Sequence, residues 1–357
     1  MTSTDAAAAR VLDAVDGLTT EMLGRLVDVL QVPSVSGTDA ENEAQAHMAR
    51  VFADGGLEVD HWRIDLDRLA AHPDFPGMEV DRHEAWGLAG RLPGRGDGAT
   101  LMLNGHIDVV PIGDAEAWTT APFGGVVQGE HLFGRGSCDM KGGLVAAHWA
   151  IQAIRRAGVT LRGDVVIASV QGEEDGGLGT FALLDRGWTA DACVIPEPTD
   201  LDLVPANAGA LTFRLIVRGH ATHASRRTEG VSAIEQFWPV WNALVELERR
   251  RHLHVDPMAR RWTLAHALSI GTLHAGDWAS SVPDQLVAEG RLGVALDERV
   301  EDARADLEAT VAELNATVPW FREHPVELEW WGGQFASGRL PADSDLVDRV
   351  TRAHATA

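Results

Sequence analysis

The chain reads as an α/β protein with a second, ferredoxin-like α+β domain inserted in it. Two observations predict this. Beyond Gly87, short apolar runs alternate with helical stretches, which calls for a largely parallel sheet with helices on its faces. After Asn207 the order becomes strand, helix, strand, strand, helix, strand, the ferredoxin-like succession. The length of 357 residues also suits two domains, because one hydrophobic core stops growing at roughly 250 to 300 residues.

Taken in order, Val11, Leu12, Val15, Leu18, Met22, Leu23, Leu26, Val27 and Leu30 recur at helical spacing and predict one opening helix that Pro33 ends. A second amphipathic helix is expected over 41–53. The alternating region predicts a strand at 100–104, a helix at 142–156, and strands at 163–170 and 192–195. The inserted domain predicts a strand at 211–217, a helix at 231–249, strands at 268–273 and 285–296, a helix at 298–318 and a strand at 326–330. The joining segments carry no Ser/Pro-rich linker, and the chain has no repeat.

Composition narrows the function. With 30 Lys plus Arg against 53 Asp plus Glu, the formal charge of −23 repels nucleic-acid backbones and anionic membrane surfaces. No apolar run approaches the roughly 20 residues of a membrane span, and the polar, alanine-rich start predicts an unexported, cytoplasmic protein. Two cysteines, Cys138 and Cys193, make no disulfide framework and no Cys-rich zinc knuckle, so any metal must be held by His and carboxylates.

Four strings carry chemistry. Leu103-Asn104-Gly105-His106-Ile107-Asp108 delivers a His and an Asp at i and i+2, on one side of an extended chain. Asp108 can then accept the second ring N–H of His106 and orient it as a metal ligand; a buried His satisfied by its neighbour is the equal alternative. Gly134-Arg135-Gly136-Ser137-Cys138-Asp139-Met140-Lys141-Gly142-Gly143 sets Asp139 in a glycine-rich turn before a helix. A phosphate loop is the rival reading, but Gly142 follows Lys141 where Ser or Thr is needed. Glu173-Glu174-Asp175 follows a predicted strand, and Glu197 sits between Pro196 and Pro198 after another. Singly these read as an acidic turn and a turn residue. Together, at strand ends of one sheet, they can converge on a site for zinc, cobalt or manganese, with Asp139 able to bridge two ions about 3.5 Å apart.

With these strings the sequence resembles, over nearly its whole length, the zinc hydrolase family of acetylornithine deacetylase, succinyl-diaminopimelate desuccinylase, aminoacylase and carboxypeptidase G. The resemblance implies a zinc-aminopeptidase-like catalytic domain interrupted by a lid that dimerises. The corresponding bounds are 1–207 for the first catalytic segment, 208–323 for the lid and 324–357 for the start of a second catalytic segment. It further implies two zinc ions, with His106 and Glu197 on one, Glu174 on the other and Asp139 bridging. Glu173 is then the general base, Asp108 supports His106, and the substrate is a small N-acyl amine, N-acyl amino acid or peptide. In Gly219-His220-Ala221-Thr222-His223-Ala224-Ser225, His223 matches the His that reaches the partner subunit's site and steadies the oxyanion.

The sequence also departs from that family. A further ligand His is expected near the C-terminus, yet after His324 only His354 remains, in a helix expected from about Leu346; we read the sequence as stopping short of the last catalytic strands. Ser280-Ser281-Val282-Pro283 stands where many members have Asn before Val-Val-Pro, and Arg291 is displaced in register from an expected substrate-carboxylate arginine. The alternative is therefore a one-metal or non-catalytic binding protein of the same fold.

Overall fold

The computed structural model describes residues 3–355 and divides into two compact units. The first comprises residues through Leu203 and from Asp345 onward. It opens with α1 (Ser3–Asp16), α2 (Thr19–Leu30) and α3 (Asp39–Asp54). The single opening helix of the sequence reading is thus two, broken at Gly17 and Leu18. Glycine is a weak helix former, and the break lets Leu18 join Leu26, Val29 and Leu30 in the core.

There follow β1 (Glu58–Arg63), α4 (Leu66–Ala70), β2 (Trp86–Leu92), β3 (Leu101–His106), the hairpin β4 (Val126–Gln128) and β5 (His131–Phe133), α5 (Lys141–Arg156), β6 (Val165–Val170), α6 (Leu178–Asp185) and β7 (Ala192–Val194). The main sheet has the order β1-β2-β6-β3-β7. It is mixed rather than largely parallel: β3 runs parallel to β6 and β7, while β2 is antiparallel to both β1 and β6. A parallel pair needs a long helical crossover, and neither the single short helix α4 between β1 and β2 nor the direct link from β2 to β3 supplies one.

Every residue of β6 is buried. Val165 and Ile167 pack with α2, α3 and α5, whereas Val166, Ala168 and Val170 pack with Leu183 of α6 on the other face. A strand covered on both faces reads as a near-continuous apolar run, broken here only by Ser169, whose hydroxyl donates to Gln45. Because β3, β6 and β7 are parallel, their C-terminal ends lie along one edge, and that edge carries His106, the turn after Val170 and the loop of Glu197.

The second unit spans Val204–Ser344. Its elements are β8 (Ala206–Asn207), β9 (Gly209–Arg218), β10 (Thr222–His223), α7 (Ala233–Arg251), β11 (Leu268–Ala275), β12 (Ser281–Val282), β13 (Gln285–Val294), α8 (Val300–Thr317), β14 (Glu327–Phe335) and β15 (Gly338–Arg339). The antiparallel sheet β11-β13-β9-β14 with α7 and α8 has the strand and helix order read from the sequence. Alternation along β9 explains its register: Leu211, Phe213, Leu215 and Val217 enter the core, and Arg214 faces out to ion-pair with Glu289 and Glu329.

One expected boundary is wrong. Residues 324–344 belong to the second unit, because β14 is hydrogen-bonded to β9 and β15 to β8. The chain returns to the first unit only at Asp345, where α9 (Leu346–His354) begins one residue on.

Phe213 is fully buried in this second core. Phe213→Ala is expected to destabilise the chain by about 3 to 5 kcal/mol in chemical denaturation, the range for emptying a buried aromatic site. A loss under about 1 kcal/mol would show that the core collapses around the gap.

Candidate active site

His106, the last residue of β3, is buried and turns Nε2 toward Asp139 Oδ1 at 3.1 Å. Its other ring nitrogen, Nδ1, lies 2.8 Å from the backbone carbonyl of Asp108. An imidazole that donates Nδ1–H to a carbonyl presents the Nε2 lone pair outward, as a metal ligand must.

This alters the role expected for Asp108. Its carboxylate stands 3.7 Å from Nδ1 and does not take that proton. It is committed elsewhere: Oδ1 accepts the N–H of Glu173 and Oδ2 that of Glu174, each at 3.2 Å, and Oδ2 accepts Ser36 Oγ–H at 3.0 Å. Asp108 therefore fixes the acidic turn after β6 against the end of β3, and the ring is oriented by its carbonyl.

Asp139 precedes α5, and its peptide bond to Met140 is cis. Ligand atoms of His106, Asp139 and Glu174 all lie within 4.8 Å of one another, the one such group among the described residues. Glu197 Oε1 is 3.8 Å and Glu173 Oε2 3.9 Å from His106 Nε2. Gly143 of α5 permits this crowding, since a Cβ there would fall 2.0 Å from the carbonyl oxygen of Pro196 beside Glu197. His354, by contrast, is exposed in α9 and outside the group.

The electrostatics call for a cation. Burial raises the Glu174 carboxyl to about 7 against the pull of His106, and Asp139, Asp108 and Glu173 add repulsion. Burial likewise raises Glu197 to about 7, with Asp139 and Glu173 repelling it. Burial disfavours a charged His106, but Asp108, Glu173 and Glu197 outweigh this and raise its pKa. Protons here stand where a divalent ion would balance the same charges.

Lys141 rules against a phosphate loop. It is the only lysine in the chain and is fully buried, with Nζ donating to the carbonyls of Val29 at 3.1 Å and Val32 at 2.9 Å. The ammonium caps the C-terminal end of α2, where a positive charge is favoured, and is committed to those carbonyls instead of a phosphate.

Asp175, third of the consecutive acids, is buried against Arg82, which the sequence reading did not single out. His223 lies in the second unit, on β10 opposite Ser281 of β12. It is exposed, with Nδ1 2.9 Å from Ser225 Oγ and its ring edge-on to Trp278 at 6.0 Å.

Residues 102–357 match the family described as Peptidase family M20/M25/M40. The chain belongs to that family of metal-dependent hydrolases. It is 26% identical over 355 residues to an N-formyl-4-amino-5-aminomethyl-2-methylpyrimidine deformylase of Halalkalibacterium halodurans, covering 94% of this chain and 79% of that one. A succinyl-diaminopimelate desuccinylase of Ruegeria pomeroyi is 34% identical over 183 residues, 48% of this chain and 46% of its own. Among solved structures, human carnosine dipeptidase 1 superposes with a TM-score of 0.68, covering 98% of this chain and 85% of that one; at 15% identity this is a likeness of fold. Among the described residues no helix is long and apolar enough to cross a membrane.

A pH dependence follows. Glu174 and Glu197 hold protons up to about pH 7 in the folded chain, whereas unfolded carboxylates lose theirs near the ordinary value of 4.5. The folded state binds the extra protons in that window, so without a cation stability falls as pH rises from about 4.5 to about 7 and levels off above it. A divalent ion held by these carboxylates would displace the same protons. Calorimetry in two buffers of different ionisation heat should detect more protons released per chain on zinc uptake at pH 6 than at pH 8.5, where the two carboxyls have already lost theirs. Equal release at both would contradict the raised values.

Proposed function

We propose that the chain hydrolyses a linear amide bond, deacylating an N-acyl amino acid or related amine or cleaving a dipeptide, at a centre of two zinc ions or cobalt or manganese in their place. The observation that carries this is the convergence of His106 Nε2, Asp139, Glu174 and Glu197, with Glu173 3.9 Å from the same Nε2. One imidazole and three carboxylates form a donor set that fits such ions, and the raised carboxyls support a need for them. When bound, two ions lower the pKa of a water and polarise the scissile carbonyl.

The chain's own residues divide the remaining work. Asp139, with its two oxygens, would be the residue to hold both ions, His106 and Glu197 would hold one of them, and Glu174 the other. Glu173 is anchored by its N–H on Asp108 while its carboxylate is about half exposed. It is the group to take a proton from the attacking water and pass it to the leaving amine, worth about 10²- to 10⁴-fold. The named relatives, a deformylase along nearly the whole chain and a desuccinylase along half, favour N-formyl and N-succinyl amines as the first substrates to try.

The second unit serves in this reading as a lid and a dimer interface. Ile234, Trp238, Trp241 and Val245 leave an apolar stripe exposed on α7, beside its buried face. A hollow of about 400 Å³ lies between α7 and β11, and β11 is an edge strand with one side unpaired. A second copy would cover both, and His223 would come from it to steady the oxyanion. The unbridged Cys138 and Cys193 suit a reducing cytoplasm.

The test is metal content together with hydrolysis of a panel of N-formyl, N-succinyl and N-acetyl amines and dipeptides. Two ions per chain with turnover are expected; turnover undiminished by a chelator would remove the reading. Glu173→Ala should lower kcat by at least about 10²-fold with both ions retained, and a wild-type rate would remove Glu173 as base. His223→Ala should cut kcat while leaving metal content unchanged. Full activity in that variant would reduce the residue to packing against Trp278.

A further inference from the structure

We infer that Arg82, together with Glu41, is a positioning residue for the Glu173–Glu174 turn, an inference that rests on the hydrolase reading above. Arg82 belongs to none of the motifs and lies in the segment before β2. Its side chain is 2% exposed and clamped between two carboxylates. Toward α3, Nε and Nη2 donate to Glu41 at 2.9 and 3.0 Å. Toward the turn, Nη1 and Nη2 donate to Asp175 at 2.8 and 2.7 Å. Both ends are two-pronged, a geometry that a planar guanidinium provides and an ammonium does not.

The placement of this triplet distinguishes it from a structural pin. Asp175 is the residue after Glu174, and its backbone is tied as well: Glu79 N–H donates to its carbonyl at 2.8 Å and Val80 N–H to its carboxylate at 3.0 Å. At the other end Glu41 accepts the N–H of Gly37 at 2.7 Å. The preceding residue, Ser36, donates to Asp108, which holds the N–H groups of Glu173 and Glu174. The contacts close a ring from the acidic turn through Asp175, Arg82, Glu41 and the 36–37 loop to Asp108 and back to the turn. Asp108 also orients His106, so the ring holds two ligand-bearing segments in one register. Supporting contacts of this kind commonly change metal affinity or activity by about 10- to 100-fold when lost.

The test uses the full chain with Arg82→Lys and Glu41→Gln. The second variant keeps the Arg82–Asp175 pair and decides alone if the first does not fold. Arg68→Gln, which breaks the surface pair of Arg68 with Asp185, is the control. Melting temperature, zinc affinity by calorimetry, and kcat and KM on the cleaved amide are measured. The ring predicts zinc affinity or kcat lowered by about 10- to 100-fold with KM within about two-fold, and no change in the control. Variants with lower melting temperatures but wild-type zinc affinity and kcat would overturn it and leave a structural pin. A wild type that binds zinc yet cleaves no amide would fail the hydrolase reading instead, and the zinc affinities of the variants would still decide the role of the ring.

Discussion

The buried carboxylate of Asp108 is the interaction on which the site depends. Crowding four acidic side chains around one imidazole sets like charges against each other, and the turn carrying two of them has to be held there by something other than their own attraction. Asp108 does this with two backbone amides and the Ser36 hydroxyl, groups that neutralise none of the charge the site presents. The buried cations of this unit are spent elsewhere, Arg82 on Glu41 and Asp175 and Lys141 on the end of α2. The protein thus preserves an excess of negative charge at the edge of its sheet, and in a metal-dependent hydrolase that excess is what attracts and retains a divalent ion.

The sheet topology sets where this happens. Parallel pairing of β3 with β6 and β7 brings three C-terminal ends together. His106, the glutamates after Val170 and Glu197 therefore meet although some 90 residues separate the first from the last. The antiparallel half, β1 and β2, contributes no ligand. It completes the flank of β6, and the segment that precedes β2 carries Arg82.

Much of this was legible in the sequence, for physical reasons that differ by element. The apolar run of β6, interrupted only by Ser169, marked a strand of the main sheet, and the apolar residues at 211, 213, 215 and 217 marked β9. His106, Asp139, Glu174 and Glu197 were legible as a group, because they recur at or near strand ends of one sheet; singly, Glu174 and Glu197 read as turn residues. The break at Gly17 was missed because apolar spacing continues through it. The last strand of the inserted domain was legible at 326–330, but the bound at 323 cut it off, and the return of β15 to β8, more than 100 residues back, leaves no local signal. Asp108 was read as a partner of the imidazole because spacing along a strand shows which side a residue faces, not which of its oxygens is already taken. Arg82 lay outside every motif, and its role follows from the buried charge of Asp175, which no local pattern distinguishes from a solvated one.

Lys141 has a practical consequence. Every other cationic side chain in the protein apart from the histidines is an arginine, so the chain offers lysine-directed chemistry one side-chain amine, sealed beneath the end of α2. A lysine-specific protease should therefore leave the folded protein whole and cut an opened one once, after Lys141, into two fragments of unequal length. That single cleavage reports separation of α2 from α5, the contact that seats the Asp139 turn, and it does so without a label or an engineered site.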